Sequence, residues 1–143
     1  MSLLARNVAP RDIALSASMY FSFLGKQRAG VRAETTFEAI INGERASTTR
    51  FDKWGDLDRW RRLVPGDIVQ FFEDRAMCKR SVLVTVREVR DIKMMTFTAG
   101  ELDQWSRVEA WRPIVALEMA SRYGHAVQVL YDFLAGPIPP PNQ

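Results

Sequence analysis

The chain has 143 residues, of which 47% are hydrophobic and 10% aromatic. This length suits one domain, spanning residues 1–143, and the apolar content is too high for a disordered chain. A single cysteine, Cys78, excludes a scaffold built on internal disulfides and favours a reducing compartment. The sequence has no apolar stretch of membrane-spanning length and no evident signal peptide, so we expect a cytoplasmic protein without membrane contact.

The net charge of +3 is small, but its origin is informative. The chain has 20 Lys and Arg residues against 17 Asp and Glu, and 16 of the basic residues are arginines. Guanidinium groups form forked hydrogen bonds to phosphates and to planar polar groups. The arginine excess therefore favours a nucleic-acid or nucleotide ligand, although a GC-rich coding sequence would produce the same bias.

Short strands and short helices alternate along the chain. Residues 1–12 look like an irregular arm, and Thr35 with Glu38 fits the capping box of a helix that ends at Asn42-Gly43. Hydrophobic patterning then predicts the remaining elements. Strands are predicted within 13–24 and at 45–51, 68–72, 81–89 and 126–133, and helices at 35–41, 57–63, 102–105 and 113–120.

This order of elements predicts an α+β fold. Five or six short, mostly antiparallel strands would form a compact barrel, with the short helices packed outside it. The last residues, 136–143, are rich in proline. They predict an extended tail that leaves the barrel, since proline cannot continue a helix or a central strand.

Several common catalytic and cofactor-binding motifs are missing from the sequence. There is no phosphate-binding loop, no dinucleotide fingerprint and no nucleophile elbow. One cysteine and one histidine cannot form a structural zinc site, so we expect neither a metal nor a cofactor. His125 beside the last strand is interpreted as a packing residue, and Cys78 as a thiol without a function.

The most polar part of the chain is the segment 42–50. It combines two arginines, three hydroxyl side chains and a carboxylate at a helix exit and in a strand. Thr48 and Arg50 have equal parity in this strand and should share a face. Such a face fits a phosphate or a polar base, and the alternative is an ordinary solvated edge strand.

These motifs, taken in order, resemble the ASCH domain, a branch of the PUA-like barrels. The resemblance covers residues 13–134, and residues 105–111 look like the Trp-Ser-x-x-Glu-Gly-Trp segment of some bacterial members. It implies a small PUA-like β-barrel with a cleft beside the Gly43–Arg50 segment. The resemblance rests on the helix of residues 37–43, on Arg45, Thr48 and Arg50, on the Val64-Pro65-Gly66-Asp67 turn and on the strand 82–89.

The resemblance also implies the partners: RNA, nucleotides or modified nucleosides. The leading hypothesis is therefore a binding module that recognises a nucleobase or a phosphate in the cleft, and its candidate residues combine cations, a hydroxyl and aromatic rings that can stack on bases. These residues are Arg45, Ser47, Arg50, Trp54, Arg59, Arg61, Arg62, Trp105 and Trp111.

Some ASCH-domain proteins are hydrolases, and this supplies the second hypothesis. Members that deacetylate N4-acetylcytidine use a lysine, a threonine and a glutamate, and others are ribonucleases. The threonine falls on Thr48 and the glutamate on Glu109, but Arg45 occupies the lysine position and cannot exchange a proton near neutral pH. Lys53 is the nearby candidate for the amine. A third hypothesis is an accessory protein whose cleft is vestigial.

Alternative roles remain open for several of these residues. Trp105 and Trp111 could exclude water around Glu109 or stack on a base, or they could belong to the core. Glu109 could instead pair with Arg107 or Arg112. The basic cluster of residues 59–62 fits a nucleic-acid backbone with a stacked base. Its embedded tryptophan could equally pack inward while the arginines face solvent.

Overall fold

The computed structural model describes residues 13–18, 36–51, 57–73 and 79–140. Lys53, Trp54 and Cys78, the predicted N-terminal arm and the proposed cap at Thr35 lie outside these ranges. Within them, no helix combines the length and the apolar character that crossing a bilayer requires.

Five strands form the framework of the fold, and short helices follow or precede them. The strands are β1 (Ile13–Ser18), β2 (Ser47–Phe51), β3 (Ile68–Phe72), β4 (Ser81–Lys93) and β5 (His125–Ile138). The helices are α1 (Thr36–Ile41), α2 (Leu57–Arg61), α3 (Ala99–Val108) and α4 (Pro113–Arg122), and a 3-10 turn, Met94–Thr96, follows β4.

All five strands belong to one sheet with the order β1-β3-β4-β5-β2. The β1–β3 pair is parallel and the other three pairs are antiparallel. The long strands β4 and β5 pair along most of their length with several register shifts, which bend strands and increase their twist. The sheet curls into a half-barrel, and the predicted α+β class is confirmed.

Two apolar clusters attach the helices to this sheet. The first packs α1 and α2 against β3, β4 and β5, and it includes Phe37, Trp60, Phe71, Val84 and Tyr131. The second packs α3 and α4 against the other end of the sheet. It includes Phe51, Ile92, Trp105, Trp111, Met119 and Ala126. The residues that lead into β2 lie between the two clusters, because the backbone of Ala46 forms hydrogen bonds to the end of α3 and to β5.

The helix α1 ends as the sequence predicts. Gly43 has a φ of +83°, which is the left-handed conformation that terminates helices and that glycine adopts at little cost. The Arg45 amide then donates to the carbonyl of Ala39 at 3.0 Å. This bond turns the chain toward β2 and fixes where the Arg45 side chain begins.

The predicted tail is wrong at its start, because β5 continues to Ile138, which pairs with Ser81. β2 pairs with β5 only from Ala126 to Leu130. Beyond that point, β4 is the one strand paired with β5 among the described residues. Pro137 therefore lies in an edge segment, where a missing amide hydrogen breaks no bond within the sheet.

Gly136 supplies the first prediction. It has a φ of +135°, and a Cβ atom there would lie 2.9 Å from Cγ1 of Val82 and 3.1 Å from the Ser81 carbonyl oxygen. We expect Gly136→Ala to lower the free energy of unfolding by about 2–4 kcal/mol, measured by chemical denaturation, because both the backbone and β4 would be strained.

Gly124→Ala is the matched control for this substitution. A Cβ atom at Gly124 would meet nothing within 4 Å. We expect a change within about 0.5 kcal/mol for this surface position. Equal losses in the two variants would show that the close approach of β5 to β4 is not the cause.

Candidate functional site

The candidate site is built around a carboxylate at the end of α3. The amide of Trp111 donates to the carbonyl of Ser106 at 2.9 Å, and that of Ala110 donates to the carbonyl of Arg107 at 3.1 Å. These two bonds form a Schellman motif, with Ala110 in the left-handed conformation at a φ of +57°. The motif ends the helix at Glu109 and brings this side chain against β2.

The Glu109 side chain is completely buried and is held by three neighbours. Its Oε2 atom accepts hydrogen bonds from the hydroxyls of Ser47 and Thr49, the second at 2.9 Å. Its Oε1 atom lies 3.3 Å from Nη2 of Arg45. Ser47 and Thr49 project from the same face of β2, since alternate residues of a strand share a face. The carboxylate therefore joins α3 to one face of β2.

A second layer of polar groups fixes the two hydroxyls. The indole Nε1 of Trp105 donates to Oγ1 of Thr49 at 3.0 Å, and the Gln128 amide donates to Oγ of Ser47 at 3.3 Å. Each hydroxyl thus accepts one hydrogen bond and donates another to Glu109. Buried polar groups need hydrogen-bond partners, because burying one without a partner destabilises the fold by about 1–3 kcal/mol.

Arg45 connects the carboxylate to the opposite face of β2. Its Nε atom donates to the Ser47 carbonyl at 2.9 Å, and its Nη2 atom lies 3.4 Å from Oγ1 of Thr48. The side chain is only 10% exposed. Arg45 therefore stands at the edge of the buried network, in contact with Thr48 and with Glu109.

Burial raises the pKa of Glu109 above that of an ordinary glutamate. The positive charge of Arg45, the hydrogen bonds from Ser47 and Thr49 and the charge of Arg50 act against this rise without cancelling it. A carboxyl group of this kind keeps its proton to a higher pH than a surface glutamate, so it has the capacity to donate a proton.

Arg50 lies at the far end of β2 and packs on α2. Its guanidinium carbon is 4.4 Å from the centre of the Trp60 ring, a cation–π contact. Trp60 is buried, while Arg59 and Arg62 on either side are exposed. The basic cluster of α2 therefore lies next to the predicted cleft, with its tryptophan packed inward.

The structure brings together four of the predicted residues: Arg45, Ser47, Thr48 and Glu109. Glu109 pairs with Arg45, and Arg107 bonds to Asp103 instead. Arg61 is partly neutralised by ion pairs with Asp58 and Asp91. Lys53 and Trp54 lie outside the described residues.

Trp105 and Trp111 occupy the core rather than a surface for stacking. They are 3% and 7% exposed. Trp105 packs edge-on against Phe51, Phe97 and Trp111, with ring centres 5.1–6.3 Å apart. Neither ring presents an open face to a base in this structure, which favours the core alternative for both.

Thr49, Gln128 and Tyr131 belong to the site but are not among the predicted residues. Thr49 shares the parity of Ser47, so strand periodicity would have selected it once the face turned toward Glu109 was known. Gln128 is a polar residue between two buried valines of β5, and it is only 5% exposed. Tyr131 is buried and adjoins the charged pair; its local sequence carries no signal.

The described residues bring no three His, Cys, Asp or Glu side chains close enough together to hold a metal ion. The polar groups that converge here are hydroxyls, guanidiniums, one carboxyl and one phenol. Such a set can bind oxygen atoms and anions, and it can move a proton through Glu109.

Comparison with solved structures shows the fold. An ASCH protein of Zymomonas mobilis, solved as a point mutant, is 11% identical, with 90% of this chain and 72% of that chain covered at a TM-score of 0.51. A DUF984 protein from Enterococcus faecalis is 8% identical, with 83% and 76% covered at a TM-score of 0.57. An ASCH domain from Lactobacillus crispatus is 10% identical, with 90% and 87% covered at 0.50.

The chain therefore has the fold of ASCH domains, and the predicted PUA-like fold is confirmed. No protein-family model matches the sequence, and no curated protein matches it. At these identities the likeness extends to the backbone arrangement. The chemistry of the cleft has to be argued from the side chains.

The hydrogen bonds of Thr49 supply the second prediction. Thr49→Val keeps the shape of the side chain but removes a donor to Glu109 and the acceptor for Trp105. We expect the free energy of unfolding to fall by about 1.5–3 kcal/mol, since a buried charged group loses a hydrogen bond. Chemical denaturation measures this loss. Thr96→Val, at an exposed position, is the control, and an equal loss there would contradict the role of Thr49.

Proposed function

We propose that this chain is an ASCH-type binding domain that recognises RNA or a nucleotide in the cleft along β2. The observation that carries the proposal is the position of Arg45. Its guanidinium stands at the edge of the buried network, 3.3 Å from Oε1 of Glu109 and 3.4 Å from Oγ1 of Thr48, and its side chain is only 10% exposed. Arg50 follows on the same strand, over the Trp60 ring. Guanidinium groups placed in this way favour phosphates and planar polar ligands.

The surface next to the cleft supports the same proposal. Arg59 on α2 and Arg62 just after it are exposed beside Trp60, which lies beneath Arg50. Arginine side chains thus continue from the cleft along α2 to the residue that follows it. A nucleotide would need the cleft alone, whereas an RNA strand could place further phosphates along α2, where arginine contacts release counterions.

The state of Glu109 favours binding over catalysis. Both of its oxygens are engaged and its side chain has no exposed surface. Arg45 occupies the position at which related amidohydrolases use a lysine, and a guanidinium does not exchange its proton near neutral pH. The network therefore serves to hold Arg45 in a fixed place.

The third prediction tests binding directly. We expect a short fluorescently labelled single-stranded RNA to bind with an affinity that falls as salt rises, measured by anisotropy. Arg50→Ala should weaken binding by about 5- to 20-fold and reduce the magnitude of the salt slope by about 0.7 if Arg50 contacts one phosphate. Competition by free nucleotides separates the two kinds of ligand.

Arg107→Ala is the matched control, because Arg107 is exposed and its partner, Asp103, lies on its own helix. It should retain the affinity and slope of the unmodified protein. If no RNA and no nucleotide binds at low salt, or if both variants lose affinity equally, the proposed site is wrong.

A hydrolase acting on a modified nucleoside or on RNA is the second candidate. It is favoured by the raised pKa of Glu109, because a carboxyl that retains its proton is suited to general acid catalysis. Thr48 would orient the reacting group beside Arg45. Lys53 remains the proposed source of an amine.

The fourth prediction distinguishes this candidate from binding. The protein is incubated with nucleosides, including N4-acetylcytidine, and with RNA, and products are followed by mass spectrometry. Catalysis through the site predicts turnover that falls at least about 100-fold in Glu109→Gln, the size typical of a lost general acid. Thr48→Ala should also slow the reaction. Turnover that survives both substitutions would exclude the mechanism, and Glu118→Gln, an exposed change, is the control.

A further inference from the structure

Two basic side chains, Arg62 and Lys93, stand apart from the other cations of the structure. Both are exposed, and neither side chain forms an ion pair or a hydrogen bond with any residue that the structure describes. Most other arginines are engaged. Ion pairs or a ring contact hold the side chains of Arg45, Arg50, Arg61, Arg80, Arg87, Arg90, Arg107 and Arg122.

The strand registers place Lys93 on the face of the sheet that carries Arg50. Val127 on β5 lies opposite Arg50 on β2 and opposite Asp91 on β4. Directly opposed residues of antiparallel strands share a face, and so do residues two apart in one strand. Lys93, two residues beyond Asp91, therefore lies on this face as well.

The helix α2 crosses the same face from β2 to β4. Trp60 lies under the Arg50 guanidinium, with 4.4 Å between the guanidinium carbon and the ring centre. The next residue, Arg61, reaches β4, where its Nε atom is 2.7 Å from Oδ1 of Asp91. Arg62 follows directly, so its side chain begins next to this ion pair.

The acidic groups beside these two cations are already engaged by Arg61. Its Nη1 atom lies 3.0 Å from Oδ1 of Asp58, and its Nε atom holds Asp91. Within the described part of this face, both carboxylates are thus shared with one guanidinium. Arg62 and Lys93 are left as exposed positive charges, each within two residues of the Arg61–Asp91 ion pair.

We propose that Arg62 and Lys93 form a second contact site, which binds the phosphate backbone of an RNA strand beyond the cleft at Arg45 and Arg50. The inference rests on the proposed function, because it extends the same binding surface. Cations bind nucleic acid by neutralising phosphates and releasing counterions. Exposed cations without an anionic partner are available for this without first breaking an ion pair.

The width of the sheet favours a strand over a free nucleotide at this second site. Asp91 on β4 is two strand spacings, about 10 Å, from Arg50 on β2, and Lys93 lies farther along β4. One phosphate group cannot contact both places at once. An RNA strand carries a phosphate at every nucleotide, so it can contact the cleft and the second site together.

The fifth prediction compares a labelled single-stranded RNA of about ten nucleotides with cytidine monophosphate. Lys93→Ala and Arg62→Ala should each weaken RNA binding about 2- to 5-fold at low salt. Each should also reduce the magnitude of the salt slope by about 0.7, because one phosphate contact is lost. Neither should change the affinity for the monophosphate. Anisotropy measures RNA binding, and isothermal titration measures binding of the monophosphate.

Arg90→Ala is the matched control. Arg90 is exposed on β4 beside Asp91, so it projects from the opposite face of the strand, and it is paired with Glu88. The substitution removes the same charge from the same strand and should leave the RNA affinity and the salt slope unchanged. Lys93→Arg keeps the charge and should retain the affinity of the unmodified protein.

Three results would overturn the inference. They are an unchanged RNA affinity in both Lys93→Ala and Arg62→Ala, an equal loss in Arg90→Ala, and competition by a polyglutamate peptide as effective as that by unlabelled RNA. The last result would assign the surface to an acidic protein segment instead.

Failure of the proposed function gives a different pattern. RNA binding that depends on Arg62 and Lys93 but not on Arg50 would support the second site and overturn the cleft. Binding of the monophosphate without any binding of RNA would overturn the second site and confine the function to nucleotides. If neither ligand binds, both proposals are wrong.

Discussion

The buried carboxylate of Glu109 is the constraint on which the rest of the site depends. Moving an ionised carboxylate out of water costs several kcal/mol unless charges and donors surround it. The chain meets this requirement with hydroxyls at Ser47 and Thr49 and a guanidinium at Arg45. These three residues lie within five positions of one another, so β2 and the residues just before it supply all three partners of the carboxylate.

The same requirement explains an unfavourable backbone conformation at the end of α3. Ala110 has a φ of +57°, where a side chain costs about 1–2 kcal/mol and glycine would cost little. The turn is retained because it brings Glu109 against β2 and because the next residue, Trp111, closes the helix. Ala110 is itself buried against Ala39 on α1, so its methyl group gains packing that glycine would lack.

Local patterns were sufficient to predict most of the fold. The alternating valines of β4, the stop at Gly43 and the Pro65-Gly66 turn each specify their structure over a few residues. The extension of β5 to Ile138 could not be read locally, because it depends on β2 beginning beside Leu130 and leaving the rest of β5 as an edge. From the sequence alone, a proline-rich segment predicts an extended tail, because the strand that pairs with it is not known.

Prediction of the site was limited by the same lack of tertiary information. The resemblance to ASCH domains selected Arg45, Thr48 and Glu109, which the structure brings together. Strand parity also grouped Thr48 with Arg50, but it could not show which face of β2 meets a helix end about sixty residues away. Thr49 and Tyr131 were therefore missed. Trp105 and Trp111 could not be divided between core and cleft, since buried and ligand-binding aromatics have the same sequence signal.

The charge balance at Arg45 depends on the protonation state of Glu109. With Glu109 ionised, its carboxylate balances the guanidinium of Arg45, 3.3 Å away. Protonation of Glu109, which its raised pKa moves to a higher pH than in an ordinary glutamate, removes this balancing charge. A lysine could lose its proton when buried, but arginine cannot. Arg45 thus fixes beside Glu109 a positive charge that does not exchange its proton, and this favours binding over hydrolysis among the two proposed functions.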